Sequence, residues 1–281
     1  MFALQRNATR YRIIKNHIFN GIVLFFTVLA LVPLFLIVYH VVKMGIPAID
    51  WDFLTTTEAP PDTEGGGIVN SIVGTVAITF LATFIATPFA IAAGTYIAFN
   101  RKKKLSEWVY LSCSALQSIP AIVVGLIIYI WIVAPMGRFS ILAGSVACAF
   151  MMFPIIIIST VEVISLISNE VIEAAFAMGA SFFKTIMKVV LPIATPGIAA
   201  GIIIALARVT GEAAPILFTA FGNPFIPTTV TDPASTLPLT IYKFAISPYE
   251  NWQETAWGAS FILLLFIIVV NFTTKLLTKK R

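Results

Sequence analysis

The chain contains six apolar stretches that are each long enough to cross a lipid bilayer. A transmembrane helix needs about 20 consecutive, mainly apolar residues. The pattern therefore predicts an all-α fold, a polytopic membrane protein with six transmembrane helices. The predicted spans are residues 18–42, 68–99, 106–134 (interrupted by Pro120), 139–164, 193–220 and 257–277.

The scarcity of charge excludes most other classes of protein. Of the 281 residues, 59% are hydrophobic and 11% are charged, whereas soluble domains have about 25% charged residues. So few charges cannot cover a water-exposed surface of this size. Both cysteines, Cys113 and Cys148, lie in apolar stretches, so we expect no disulfide framework and no Cys-rich metal site. The sequence shows no Ser/His/Asp set, no HExxH motif and no paired intramembrane aspartates, so we expect no catalytic residues and no metal site. Membrane topology accounts for the net charge of +5, and no nucleic-acid partner is predicted.

The distribution of basic residues predicts the orientation. With the N-terminus inside, 14 of the 18 Lys and Arg residues fall in cytoplasmic segments and three in outer loops, while Arg208 lies within a span. Cytoplasmic loops of membrane proteins carry such an excess. We therefore expect a multi-pass protein with both termini in the cytoplasm and membrane lipid around it.

The spans and the loops between them divide the chain into four parts. Residues 1–17 form a cytoplasmic segment, 18–42 the first span, 43–67 an outer loop, and 68–281 the main transmembrane domain. Within this domain, the inner segment 165–192 is too polar to span the membrane and longer than a simple turn needs. The outer loops 43–67 and 221–256 are also long, and they are either docking surfaces or ordered lids.

The inner segment carries the most specific motif. Glu173, Ala174 and Ala175 are followed by Gly179 and then by the pair Leu191-Pro192. We expect two short helices separated at the glycine, with the alanines forming a surface that another backbone can approach. The spacing resembles the EAA loop of ABC importer permeases, although Val189 stands where that family has Ile. The resemblance implies that these six residues couple the chain to an ATPase subunit.

Three further stretches narrow the resemblance to the permeases of phosphate importers. They are 65–75 at the start of the second span, 117–125 in the third, and 207–215 in the fifth. The resemblance implies a type I (MetI-like) permease in a prokaryotic inner membrane that forms half of a translocation pore. It also implies a second, related permease chain, an ATPase dimer and a phosphate-binding protein as partners.

No Gly is followed by Lys in the sequence, so the phosphate-binding loop of nucleotide-hydrolysing proteins is absent. We therefore expect a transport subunit without enzymatic activity and without a cofactor of its own. If transport is driven by ATP, the nucleotide and its Mg²⁺ bind to the partner subunits. A passive channel would lack the motif as well.

Two charges within the fifth span are candidates for the substrate path. Arg208 and Glu212 are four residues apart, which places them on one face of a continuous helix. A central Arg costs about 2.5–3.5 kcal/mol in a membrane, and its planar guanidinium suits phosphate. We expect an exchangeable pair in which Glu212 neutralises Arg208 between passing anions. The alternative is an ion pair that only holds helices together.

Thr210, Gln117 and Ser118 are weaker path candidates, because such residues also join neighbouring helices by hydrogen bonds. Three other functions remain open. The first is a permease for another oxyanion such as molybdate or sulfate. The second is a passive anion channel or secondary carrier, and the third is a scaffold that senses phosphate supply.

Overall fold

The computed structural model describes the backbone of residues 2–61, 63 and 65–279, and their side chains except for 2–11, 13, 14 and 273–279. No strand forms in this part of the chain, where a single bridge joins Phe221 to Ala234.

Many of the basic residues that predict the orientation lie in the terminal segments whose side chains are not described. The cytoplasmic location of 1–17 and of both termini therefore stays a prediction. The helices are α1 (Phe2–Gly45), α2 (Trp51–Thr55), α3 (Val69–Phe99), α4 (Lys104–Leu116), α5 (Ala121–Ile128), α6 (Ala134–Met136), α7 (Ile141–Ser165), α8 (Asn169–Ala177), α9 (Phe182–Thr185), α10 (Leu191–Thr210), α11 (Ala214–Thr219), α12 (Leu237–Ala245) and α13 (Glu250–Lys279).

The prediction of an all-helical fold is confirmed. Five of the described helical segments are long and apolar enough to cross a membrane, and the predicted number of six is reached when one bent pair of helices is counted as a span. That pair joins α4 to the segment Ala121–Met136 with a bend of 107°. The bend lies at Pro120, whose ring lacks the N–H that a continuing helix requires. The interruption of the third span at this proline is thus also as predicted.

The centre of the bundle is built on α3 and α7, and α10 packs beside them. Ala82, Ala86, Ala90 and Gly94 recur every four residues on α3 and are buried. A Cβ atom on Gly94 would lie 2.6 Å from the Cβ of Thr160 on α7. Small residues at this spacing let membrane helices approach closely. By contrast, α1 is almost wholly exposed in its apolar part and contacts the rest of the bundle mainly through α13.

The fifth span differs from its predicted bounds at both ends. Helical structure begins at Phe182 and runs through a π-helical turn, Ile186–Val190, into α10. Pro192 therefore lies inside a continuous helix and does not end the inner segment. At the other end, α10 stops at Thr210 and α11 begins at Ala214. Gly211 weakens the helix there, and the ring of Pro215 crowds the carbonyl four residues before it.

Both outer loops are tied to the bundle. The indole Nε1 of Trp252 donates to the carbonyl of Ala59 at 3.1 Å, and the loop carbonyls of Asp232 and Val230 accept from the first amides of α7. The loop 221–256 also contains α12, which packs against α13 and α3. These contacts order both loops against the ends of the helices, and a role as lids on the outer side of the membrane stays a prediction. A docking role for the same surfaces stays a prediction.

Candidate translocation path and coupling loop

Arg208 lies in the last turn of α10, where the helix ends. Its side chain is exposed, and it forms no hydrogen bond or ion pair with another described residue. The amide of Gly211 donates to the Arg208 carbonyl at 3.2 Å, which tightens the final turn. A guanidinium at this position is favoured by the negative end of the helix dipole. It remains free to bind an anion.

Glu212 follows the end of α10, and this changes its relation to Arg208. The prediction that the two residues share one continuous helical face is wrong, because the helix stops at Thr210. Glu212 instead lines a small cavity of about 10 Å³ together with hydroxyl-bearing residues from other elements. No ion pair joins it to Arg208 in the described structure. Whether the two residues exchange partners during transport stays a prediction.

Three of the hydroxyl-bearing residues around Glu212 were not identified from the sequence, whereas a fourth, the path candidate Thr210, lines the same cavity. Thr75 and Thr79 come from α3, and Thr236 comes from the outer loop. The Thr75 hydroxyl accepts from the amide of Leu237 at 2.8 Å, whereas Thr236 Oγ1 is buried without a partner among the described residues. The spacing of Thr75, Thr79 and Thr83 at every fourth position of one span was the signal that could have pointed to this surface.

The other path candidates fall into two groups. Gln117 and Ser118 are exposed at the break between α4 and α5. Thr210 is buried, and its hydroxyl donates to the carbonyl of Leu206 at 2.8 Å. This contact supports the packing interpretation of Thr210. The helices that follow the two breaks, α5 and α11, pack against each other.

The inner segment forms the two short helices that were predicted. The first, α8, ends at Ala177 and is followed two residues later by Gly179, which has a φ of +81°. The amide of Ala180 donates to the carbonyl of Ala175 and that of Gly179 to the carbonyl of Phe176, the pattern of a Schellman C-cap. Ser181 then caps α9 by accepting from the amide of Lys184 at 3.4 Å.

Only part of the predicted alanine surface is open. Glu173 and Ala174 are exposed, but Ala175 is buried with 4% of its surface accessible. Ala175 therefore packs inward and cannot contact a partner directly. Gly179 and Pro192 are exposed, and Leu191 is half-buried. Phe182 of α9 meets Phe99 at the end of α3 with ring centroids 5.4 Å apart, which connects the loop to the central bundle.

Comparison with known proteins assigns this arrangement to a family. Residues 86–281 match the family model described as "Binding-protein-dependent transport system inner membrane component". The inward-facing MetNI methionine ABC transporter has a similar fold, with a TM-score of 0.65 at 20% identity over 75% of this chain and 94% of that one. An amino acid ABC transporter crystallised with histidines gives a TM-score of 0.52 at 16% identity, over 76% of this chain and 94% of that one. The fold and the matched region define an inner-membrane permease component of an ABC transporter.

Curated relatives define the family more closely. The phosphate transport system permease protein PstA of Yersinia pestis is 38% identical over 87% of this chain and 83% of its own length. PstA of Haemophilus influenzae is 34% identical over 95% of this chain and 94% of its own. A probable PstA of Methanocaldococcus jannaschii is 36% identical over 92% of each chain. The chain belongs to the PstA family of transport permeases, as the resemblance in its motifs indicated.

Proposed function

We propose that the chain is the permease subunit of an ATP-driven phosphate importer and forms half of the translocation pore. The observation that carries this proposal is the exposed, unpaired guanidinium of Arg208 at the end of a membrane-spanning helix. A charge in this position is costly unless it meets water, an anion or an opposite charge. A phosphate ion supplies oxygens for two parallel hydrogen bonds from the guanidinium. The relatives named for phosphate transport support the choice of substrate.

The exposure of the path candidates supports a shared pore. Arg208, Gln117 and Ser118 lie on the surface of the single chain and not in a closed channel within it. A second permease that covers this surface would complete the passage. We infer that this partner is a related, PstC-type chain. Glu212, close behind the helix end, would limit how tightly Arg208 retains a divalent anion.

We propose that energy enters through the coupling loop. A PstB-type ATPase dimer would bind ATP and Mg²⁺, because the chain itself lacks a phosphate-binding loop. Movement of α8 would be transmitted in two directions, to α3 through Phe182 and Phe99, and to α10 through the continuous helix from Phe182. A PstS-type phosphate-binding protein would deliver the anion to the outer side. Both termini would face the cytoplasm.

The test is uptake of radiolabelled phosphate by the reconstituted complex with Arg208→Gln. We expect uptake to be abolished, while the complex still assembles and its basal ATP hydrolysis remains detectable. Arg138→Gln is the matched control, since Arg138 is an exposed arginine in a turn outside the helices. Uptake by Arg208→Gln at the wild-type rate would refute the proposal for this residue.

Three further measurements separate the alternative functions. Competition by unlabelled molybdate or sulfate that matches competition by phosphate would identify a permease for another oxyanion. Uptake that resists vanadate and follows an imposed ion gradient would identify a passive channel or a secondary carrier. Retained uptake in Arg208→Gln combined with lost regulation by phosphate would favour a sensing scaffold.

A further inference from the structure

A second cavity, which Arg208 does not line, lies at the ends of three spans. It has a volume of about 330 Å³ and is bounded by the end of α3, the first turns of α4 and the end of α7. Charged or polar side chains from α4, from α7 and from the turn between α3 and α4 face it. They are Arg101, Ser106, Glu107, Tyr110 and Glu162. The volume lies within the range of about 300–1,000 Å³ that is usual for ligand sites.

The charges around this cavity do not neutralise one another. Arg101 donates a hydrogen bond to Ser165, and no ion pair joins it to Glu107 or Glu162 in the described structure. Two carboxylates and one guanidinium therefore face a common space. A lone anion would be repelled by the carboxylates, and the described residues contain no cluster of three or more His, Cys, Asp or Glu side chains that could hold a metal ion. A ligand with both a cationic and an anionic group fits the set.

Ser106 provides an independent sign of a missing partner. It is 1% exposed and lines the cavity, yet its hydroxyl makes no hydrogen bond within the described chain. Buried hydroxyls are nearly always satisfied. Ser106 also lies in the first turn of α4, and Lys103, the residue before this helix, makes no side-chain cap. Free amides and a positive helix end at this position favour an anionic group beside the serine.

The surroundings place the cavity at the boundary between lipid and water. Lys102, Lys103 and Lys104 are exposed next to it, and Trp108 of α4 is 69% exposed. Basic residues and tryptophan are enriched at this depth of a membrane. Leu111 lines the cavity and is itself 54% exposed, so the wall continues into the apolar outer face of α4. An acyl chain could follow that face.

We propose that this cavity binds the headgroup of an aminophospholipid such as phosphatidylethanolamine. The ammonium group would donate hydrogen bonds to Glu107 and Glu162. The phosphate would bind to Arg101, the Ser106 hydroxyl and the start of α4. Phosphatidylcholine is a poor ligand because its quaternary ammonium has no N–H to donate, and phosphatidylglycerol is a poor ligand because it has no cation.

The experiment measures lipids that remain bound to the purified transporter complex. The complex is placed in nanodiscs of phosphatidylglycerol mixed with equal amounts of phosphatidylethanolamine or phosphatidylcholine, and retained lipids are quantified by mass spectrometry after a detergent wash. We expect the wild type to retain phosphatidylethanolamine selectively. The double variant Glu107→Gln/Glu162→Gln should retain it about tenfold less strongly, the loss expected when charge-assisted hydrogen bonds are removed.

Matched controls separate binding from folding. Glu250→Gln/Glu254→Gln removes two exposed carboxylates of α13 and should leave retention unchanged. Ser106→Ala should reduce retention several-fold without lowering the melting temperature, because the hydroxyl it removes has no partner within the described chain. A photoreactive residue in place of Leu111 should label lipid.

Several results would overturn the proposal. One is retention of phosphatidylethanolamine by the double carboxylate variant at the wild-type level. Two others are retention of phosphatidylcholine by the wild type as strong as that of phosphatidylethanolamine, and preferential retention of phosphatidylglycerol. The fourth is photolabelling of a partner polypeptide in place of lipid. The readout is bound lipid and not phosphate uptake. Failure here and failure of the proposed transport function are therefore distinguishable.

Discussion

The Glu58 carboxylate accepts a hydrogen bond from the side-chain amide of Asn70 at 2.9 Å, which fastens the outer loop to the first turn of α3. The same carboxylate oxygen accepts from the hydroxyls of Ser71 and Thr240, each at 3.3 Å. Asn70 also donates to the carbonyl of Asn223 at 2.8 Å. One acidic side chain thus joins three elements that are far apart in the sequence, and Asn70 and Ser71 are fully buried.

We predict that Glu58→Ala lowers the melting temperature of the purified complex, because it leaves buried donors without their acceptor. The expected loss is about 1–3 kcal/mol. Glu58→Gln keeps one acceptor oxygen and should recover part of the loss. Glu254→Ala, at an exposed position on α13, is the control and should have no effect. Equal melting temperatures for Glu58→Ala and the control would contradict the prediction.

A second prediction concerns the close packing of α5 against α11. A Cβ atom on Gly125 would lie 2.7 Å from the Cα of Pro215, and backbone atoms cannot move away cheaply. Gly125→Ala should therefore destabilise the chain by about 1–3 kcal/mol through overpacking. Gly21→Ala is matched in chemistry but meets no atom within 4 Å. If the Gly21 variant unfolds at a lower temperature than the Gly125 variant, the close contact between Gly125 and Pro215 does not limit the stability of the chain.

Gly179 supports a third prediction, about the coupling loop. Its φ of +81° is unfavourable for an alanine by roughly 1–2 kcal/mol, although no atom occupies the space around it. Gly179→Ala should reduce phosphate-stimulated ATP hydrolysis by the complex. Gly179→Asn should retain more of it, because asparagine tolerates the left-handed conformation. The same loss in both variants would mean that backbone conformation is not the cause.

Asp232 supports a prediction about pH. Hydrogen bonds from the backbone and hydroxyl of Thr229 and Thr228 lower the pKa of Asp232 to about 2. An unfolded Asp titrates near pH 3.9. The stabilising contribution is therefore complete above about pH 4 and is lost as the pH falls towards 2. The difference in melting temperature between wild type and Asp232→Asn should shrink over that range, whereas a constant difference would rule out this cause. Asp52→Asn, at an exposed position on α2, serves as the control.

Local sequence was sufficient to locate the spans, apart from the bounds of the fifth, and to predict the two short helices of the inner segment 165–192. Apolar length identifies a membrane helix without knowledge of its neighbours, because each helix satisfies its own backbone hydrogen bonds. Pro120 and Gly179 interrupt helices through their own backbone chemistry, so both breaks were predicted correctly. Ser181 as the cap of α9 is equally local.

Residue spacing failed where the outcome depended on packing. The prediction of one helical face for Arg208 and Glu212 assumed a helix that continued past Gly211, and it stops at Thr210. Ala175 was predicted to be on an open surface, but it is buried. Residue type alone cannot reveal which side of a short helix meets the rest of the protein.

The sequence by itself thus determined the class of fold, the approximate positions of the spans, the EAA-like motif and the presence of an arginine within the fifth span, since these depend on hydropathy and local conformation. Only the tertiary structure decided the surroundings of Glu212, the inward turn of Ala175 and the convergence of Arg101, Ser106 and Glu162 on one cavity. Those contacts join residues from separate helices. They exist only after α3, α4, α7 and α10 have packed, because their positions depend on interhelical distances that no single segment encodes.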